Sequence, residues 1–361
     1  MSELLDHLRA LVAFRTTADR RDEKEKCLAW IEETFLASQG QRAMRGAIDG
    51  APYVYVPSSR PSLLWFAHID VVPGPDALFT LSLDGDRARG RGAKDMKGAA
   101  LTLLLAYRDF CKDGRDSPVS LLLTSDEEIA GPSVPELLKK KIIAASAAYT
   151  PDNGGDSSII VEHKGVVWTD LTVHGGGGHG AYPWASANPI PRLAEILLTL
   201  EKNFPCGTKD DWRVTVTPTQ LTGSSARNSV PNNASCGIDI RYPPELCSSA
   251  DEVLALISAH LPKDCTLTPI LTQDPLSTDP KHPLVQQLKR IATKILAADI
   301  PLGREHGASD ARHFPKHGIP AFLYGPIGEG VHGIDEWVSV SSLEQHVEIY
   351  REWLTELAAS R

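Results

Sequence analysis

The sequence predicts an α/β protein, a largely parallel sheet layered with helices, into which a smaller α+β domain is inserted. Three observations lead there. Short, nearly continuous apolar runs at 63–67, 119–124, 142–149 and 321–324 have the composition of strands buried on both faces. Segments with helical apolar spacing separate several of them. In the middle of the chain, runs that alternate apolar and polar residues take their place.

Helical spacing marks residues 4–12 and 24–36, and 53–56 reads as a strand before the buried run 63–67. The stretch 85–92 is loop-like, and 96–110 is a strong helix with Asp95 just before it. The middle segment starts with a strand at 166–173 and a helix at 191–200. Strands at 212–221 and 234–241, a helix at 253–260 and a strand at 265–271 follow. That order, β-α-β-β-α-β, is the split βαβ or ferredoxin-like arrangement. Helices near 283–296 and 342–357 close the chain. One domain is therefore expected from 1–166 and 278–361, and a second from 167–277. The 361 residues suffice for two domains.

Composition narrows the function. Apolar residues make up 42% and charged residues 23%, the balance of a folded rather than a disordered chain. The net charge is −9, and the longest basic run, Lys139-Lys140-Lys141, sits at a helix end. No basic stripe speaks for a nucleic-acid partner. No apolar run approaches the ~20 residues of a membrane helix. The first six residues carry acids and no basic stretch, so no signal peptide is expected. Six cysteines without a CxxC pair read as reduced thiols of a cytoplasmic protein, and none receives a role.

In open α/β sheets, ligands bind beyond the carboxyl ends of the strands. His68-Ile69-Asp70 follows 63–67, Asp126-Glu127-Glu128 follows 119–124, and Asp152 follows 142–149. A glycine-rich loop holding His332 follows 321–324, and Asp95 introduces the helix at 96–110. His, Asp, Glu, Asp and His thus converge on one sheet edge. Mixed imidazole and carboxylate donors suit zinc, with cobalt or manganese as substitutes. Two metals need a shared carboxylate, since only two histidines are at hand. His68 and Asp70 share one face of an extended segment, so Asp70 is placed to fix the His68 tautomer. Adjacent side chains diverge, so one of Glu127 and Glu128 can hold a metal while the other moves protons.

Other chemistries find less support. Residues 175–180 contain GxGxxG, but no dinucleotide-type helix follows, so the segment reads as a mobile loop presenting His179. No GxSxG or Walker loop is present.

His68-Ile69-Asp70-Val71-Val72-Pro73 and Gly90-Arg91-Gly92-Ala93-Lys94-Asp95-Met96-Lys97-Gly98 resemble the two signatures of the M20 metallopeptidases. The resemblance continues through Ser125 to Glu128, Gly178 to Pro183, Asn228 to Pro231, Asp239 to Tyr242, Gly307 to Arg312 and His332. It implies a dinuclear zinc site: Asp95 bridges, His68 and Asp152 complete one site, and Glu128 and His332 complete the other. It makes Glu127 the general base and acid, and Asp70 the residue that orients His68. The inserted domain becomes a lid and dimerisation domain, through which a homodimer forms. From it His179 would enter the partner's site to stabilise the oxyanion, while Asn228 and Arg241 bind a substrate carboxylate. The implied reaction is hydrolysis of the amide bond of small N-acyl amino acids.

Asp152 departs from one branch. Glutamate at this place resembles the deacylases and carboxypeptidases, and aspartate resembles the dipeptidases and aminopeptidases. Residues 307–312 nevertheless resemble the deacetylase and desuccinylase pattern. Peptidase action on short peptides therefore stands as the alternative. A free ammonium on the substrate would require an acidic partner, for which Asp126, Asp156 and Asp310 are available. A binding protein that merely kept the fold would lack a ligand or the base, and all are present.

Overall fold

A computed structural model describes residues 2–37, 43–59, 61, 63–155, 157–223 and 226–360. The chain divides into two units, one built from 1–161, 277–305 and 309–361 and the other from 162–276 and 306–308. In chain order the strands used below are β1 Met44–Ile48, β2 Ala51–Val56, β3 Leu63–His68, β4 Val119–Thr124, β5 Ala148–Thr150 and β6 Ile159–His163. They continue as β7 Gly165–His174, β8 Thr215–Thr222, β9 Asn233–Tyr242, β10 Cys265–Gln273, β11 Leu276–Ser277 and β12 Ala321–Leu323.

The larger unit is a mixed α/β layer structure. Its main sheet runs β1-β2-β4-β3-β5-β12-β6-β11. The middle four strands are mutually parallel, and antiparallel pairs flank them. Every residue of β3 and β4 is buried, as their continuous apolar runs require. Successive side chains face opposite ways, so both faces of β3 are packed. Trp65 meets Tyr350 and Trp353 at ring distances of 5.4 and 5.8 Å. Phe66 meets Phe314 at 5.0 Å. The helix Lys97–Cys111 is buried at twelve of its fifteen positions, because it is apolar nearly all round. It packs against the closing helix Val340–Ala359.

Two expectations need correction here. Only the end of the apolar run 142–149 is strand. Lys141 adopts a left-handed φ of 55° after the helix Ser133–Lys139, and pairing resumes only where the Leu64 N–H donates to the Ala147 carbonyl at 2.9 Å. Ile143 is buried by packing instead. The stretch 85–92 contains strand: Ser82–Asp84 and Arg87–Arg89 form a hairpin around Gly85, whose φ of 59° suits a tight turn.

The smaller unit is a four-stranded antiparallel sheet in the order β8-β9-β7-β10. With the helices Pro189–Asn203 and Ala250–Ser258 between strands, this is the expected β-α-β-β-α-β connection. Burial alternates strictly along β9, putting Ala234, Cys236, Ile238 and Ile240 in the core. Asn188 and Ser249 cap the two helices by accepting the Ile190 and Glu252 N–H groups. Among the described residues, no helix is long and apolar enough to cross a membrane. All six cysteines are free thiols.

Candidate metal centre

Because β3, β4, β5 and β12 are parallel, their carboxyl ends share one edge of the sheet. His68 ends β3, and the turn Glu127–Ile129 follows β4. Asp152 lies two residues beyond β5, and His332 lies in the loop after β12. Asp95 stands just before the helix Lys97–Cys111, in a cis peptide with Met96.

These residues meet. His68, Asp95 and Asp152 form one group able to hold a metal ion, and Asp95, Glu128 and His332 form another. Asp95 belongs to both. His68 Nε2 lies 3.2 Å from Asp95 Oδ1 and 4.0 Å from Asp152 Oδ1. On the other side, His332 Nε2 lies 3.3 Å from Asp95 Oδ2 and 2.9 Å from Glu128 Oε2. Glu127 Oε2 stands 4.0 Å from His68 Nε2. The two adjacent glutamates have different neighbours, His68 and Arg312 for Glu127 and His332 for Glu128. His68 Nε2 and Glu128 Oε1 are buried and have no hydrogen-bond partner among the described residues. Buried donor atoms left unpaired, on imidazole and carboxylate, are what a divalent cation completes.

Asp70 approaches His68 with its main chain as well as its side chain. His68 Nδ1 sits 3.1 Å from the Asp70 main-chain carbonyl and 3.5 Å from its carboxylate Oδ1. The other carboxylate oxygen accepts the Glu128 N–H at 3.0 Å. One residue thus holds the His68 ring and the Glu128 backbone together.

The electrostatics are those of crowded acids. Burial, reinforced by the Asp95 charge, pushes Asp152 up to about 7. Burial, reinforced by Asp310 and Asp152, raises Glu127 well above its ordinary range, against the opposing pull of His68 and Arg312. Burial likewise raises Glu128. For Asp95, burial is outweighed by the His332 and His68 imidazoles, which hold it well below the carboxylate range. His332, bonded to Asp95 and Glu128, rises to about 10.

The remaining predicted residues belong to the smaller unit. His179 is exposed, and its segment Gly178–His179 pairs with Ser229–Val230. The Asn228 carbonyl accepts the Gly180 N–H at 2.7 Å, so Asn228 neighbours the His179 turn. Arg241 turns its Nε and Nη2 to Asp239 at 2.7 and 2.9 Å, so that edge of its fork is already paired.

Several charged residues escape the sequence reading. Arg312 Nη1 lies 3.5 Å from Glu127 Oε1, and its Nη2 lies 3.3 Å from Asp310. Lys94 is buried and donates to the Asn153 carbonyl at 2.6 Å, next to Asp152. In the smaller unit, Lys164 Nζ is buried without a hydrogen-bond partner among the described residues, and lies 5.4 Å from the Trp212 ring centroid. Burial, then the nearby Arg241 and Arg213, lowers its pKa. The available signal was place in the sequence: Lys94 directly precedes Asp95, and Arg312 closes the segment 307–312. Of the acids considered for an ammonium, Asp126 accepts the Ser133 N–H at 3.0 Å and Asp310 faces Arg312 and His313. Asp156 lies outside the described residues.

Residues 64–356 match the profile of peptidase family M20/M25/M40. A succinyl-diaminopimelate desuccinylase of Afipia carboxidovorans is 30% identical over 336 residues, spanning 84% of this chain and 85% of its own. An M20 family metallo-carboxypeptidase from Sulfolobus solfataricus shares the fold with a TM-score of 0.80 at 19% identity, covering 99% of this chain and 100% of that one. The aminopeptidase PepT from Bacillus cereus does so with a TM-score of 0.78 at 17% identity, covering 98% of each. With the profile match running through β3, β4, β5, β12 and His332, the chain belongs to peptidase family M20/M25/M40, hydrolases of amide and peptide bonds.

Proposed function

We propose that the chain is a zinc-dependent amidohydrolase that removes the acyl group from small N-acyl amino acids, in the manner of a deacetylase or desuccinylase. The observation that carries this reading is Asp95, the one carboxylate common to the two donor groups. His68, Asp95 and Asp152 would hold one zinc, and Asp95, Glu128 and His332 a second, with cobalt or manganese as possible substitutes. When bound, such a pair supplies Lewis acidity, bringing the pKa of water toward ~7 and polarising an amide carbonyl.

Glu127 takes a proton from the attacking water as its oxygen bonds to the amide carbon. The C–N bond then breaks, and Glu127 returns that proton to the departing nitrogen, releasing a carboxylic acid and an amine. A carboxyl whose pKa is raised by burial suits both directions of that transfer. Asp70 keeps the His68 ring in one orientation. Residues 1–166 and 278–361 form the catalytic domain and 167–277 the lid, through which two subunits pair. His179 of the partner subunit would donate to the oxyanion, and Arg241 and Asn228 would bind the substrate's carboxylate. The buried Lys164 ammonium near Arg241 adds positive charge suited to the same anion. The enzyme works in the cytoplasm on small molecules.

The second reading, a dipeptidase, aminopeptidase or carboxypeptidase acting on short peptides, is favoured by Asp152. The engagement of Asp126 and Asp310 within the protein weighs against a free ammonium on the substrate. Zinc-loaded protein offered matched pairs sharing one C-terminal amino acid decides between them. One member of each pair carries an acyl cap, and the other a second amino acid with a free amine. Cleavage of the capped member alone supports the deacylase. Cleavage of the free-amine member alone replaces it with the dipeptidase.

A further inference from the structure

Asp95 and His332 come from chain segments far apart in sequence, and one buried ion pair ties them together. Glu336 Oε1 accepts the Lys94 N–H at 3.0 Å and the Asp95 N–H at 3.1 Å. Its Oε2 accepts Arg91 Nη1 at 2.7 Å. The same guanidinium donates from Nη2 to the His332 carbonyl at 3.1 Å and the Gly333 carbonyl at 3.0 Å. Arg91 and Glu336 are 2% and 1% exposed, so water does not compete for these bonds. His332 holds a φ of 65° in a loop that also contains Gly325, Gly328, Gly330 and Gly333. A left-handed backbone at a residue other than glycine needs partners that impose it.

We infer that Arg91 and Glu336 are positioning residues of the metal centre: Glu336 sets the backbone of Asp95, and Arg91 relays that placement to His332. This rests on Asp95 and His332 being metal ligands. Arginine is required because its planar fork serves the carboxylate with one nitrogen and two carbonyls with another. An ammonium is a single point and satisfies one side at a time.

The consequence is an asymmetry between the two ions. Arg91 bonds to the His332 segment, whereas the Asp152 segment is held by Lys94. Arg91→Lys should therefore raise the Kd of one zinc by ~10–100-fold, the usual range for removing a support behind a ligand, and leave the other at its parental value. Zinc titration of the dialysed full-length protein against a competing chelator reads both constants. Thermal unfolding of the metal-free samples confirms the fold. His332→Ala should lose the same ion. Should Arg91→Lys fail to fold, Arg91→Gln combined with Glu336→Gln removes both charges together, keeps a side-chain oxygen to accept the Lys94 and Asp95 N–H groups, leaves no lone buried ion, and is read in the same way. Parental affinity for both ions, or equal weakening of both, overturns the inference while His332→Ala still loses one ion. Retention of both ions by His332→Ala overturns the ligand assignment beneath it.

Discussion

Asp126→Asn should stabilise the protein at neutral pH and lose that advantage in acid. Asp126 is 1% exposed. Its Oδ2 accepts the Ser133 N–H at 3.0 Å, and its Oδ1 is buried without a hydrogen-bond partner among the described residues. Burial, with the charges of Asp310 and Asp70 behind it and the Ser133 bonds opposing, pushes the carboxyl from 3.8 to about 6. The folded state thus binds this proton ~150-fold more tightly than the unfolded chain, worth about 3 kcal/mol. The sign follows from linkage. A carboxyl raised on folding adds stability below pH ~4, and that stability is lost as the pH rises through about 6. Asparagine keeps an acceptor for Ser133 and carries no charge to bury. It forgoes the attraction of a carboxylate to a helix N-terminus, ~0.3–1 kcal/mol, which leaves a net gain of about 2 kcal/mol. Urea unfolding of both proteins at pH 7.5 and pH 4.0, with chelator present throughout so that metal loading does not differ, measures it. A gain as large at pH 4.0 as at pH 7.5, or a loss at pH 7.5, would refute the reasoning.

Glu127→Ala should retain two zinc ions per subunit by elemental analysis while kcat falls by ~10²–10⁴-fold; turnover at the parental rate would sink the assignment of the base. His179→Ala and Glu127→Ala should each be inactive alone, yet regain activity when mixed and reassembled, and no regain would show that the site is not shared between subunits. Arg241→Ala should raise KM for substrates with a free carboxylate more than for their amides, and an equal effect on both would remove its carboxylate role. Trp353→Ala should cost ~3–5 kcal/mol in denaturant unfolding, because the indole is fully buried 4.9 Å from the Tyr149 ring; a cost below ~1 kcal/mol would mean that the aromatic layer is not close-packed.

The candidate metal edge was legible because His68, Glu128, Asp152 and His332 each come after an apolar run that advertises burial, and parallel strands end together; Asp95 was legible from its place just before the helix Lys97–Cys111. The ferredoxin-like order was legible from β9, where period-two burial leaves no other face for Ala234, Cys236, Ile238 and Ile240. The run 142–149 misled because an apolar composition reports burial rather than pairing, and Ile143 achieves burial without a strand. The Arg241–Asp239 pair was within reach of the sequence, since Asp239 lies two residues earlier on the same strand face. That the Asp70 carbonyl lies nearer His68 Nδ1 than its carboxylate does was not legible, because backbone direction leaves no trace in residue type. The Arg91–Glu336 pair spans 245 positions. Neither residue has a local pattern that names the other.

The smaller unit is threaded into the larger one between two strands that lie side by side in the main sheet, β6 and β11. Bringing those strands together across roughly 115 disordered residues would cost about 4 kcal/mol in chain entropy. Within the insertion, however, Val166 of β7 pairs with Gln273 of β10. Once the insertion has folded, its two ends are already neighbours, and the loop left to close is only a few residues long. Roughly 3 kcal/mol of that entropic cost is then met inside the insertion's own folding. The inserted sheet thus serves as a clasp for the larger one: its own pairing of β7 with β10 holds the chain ends that β6 and β11 continue.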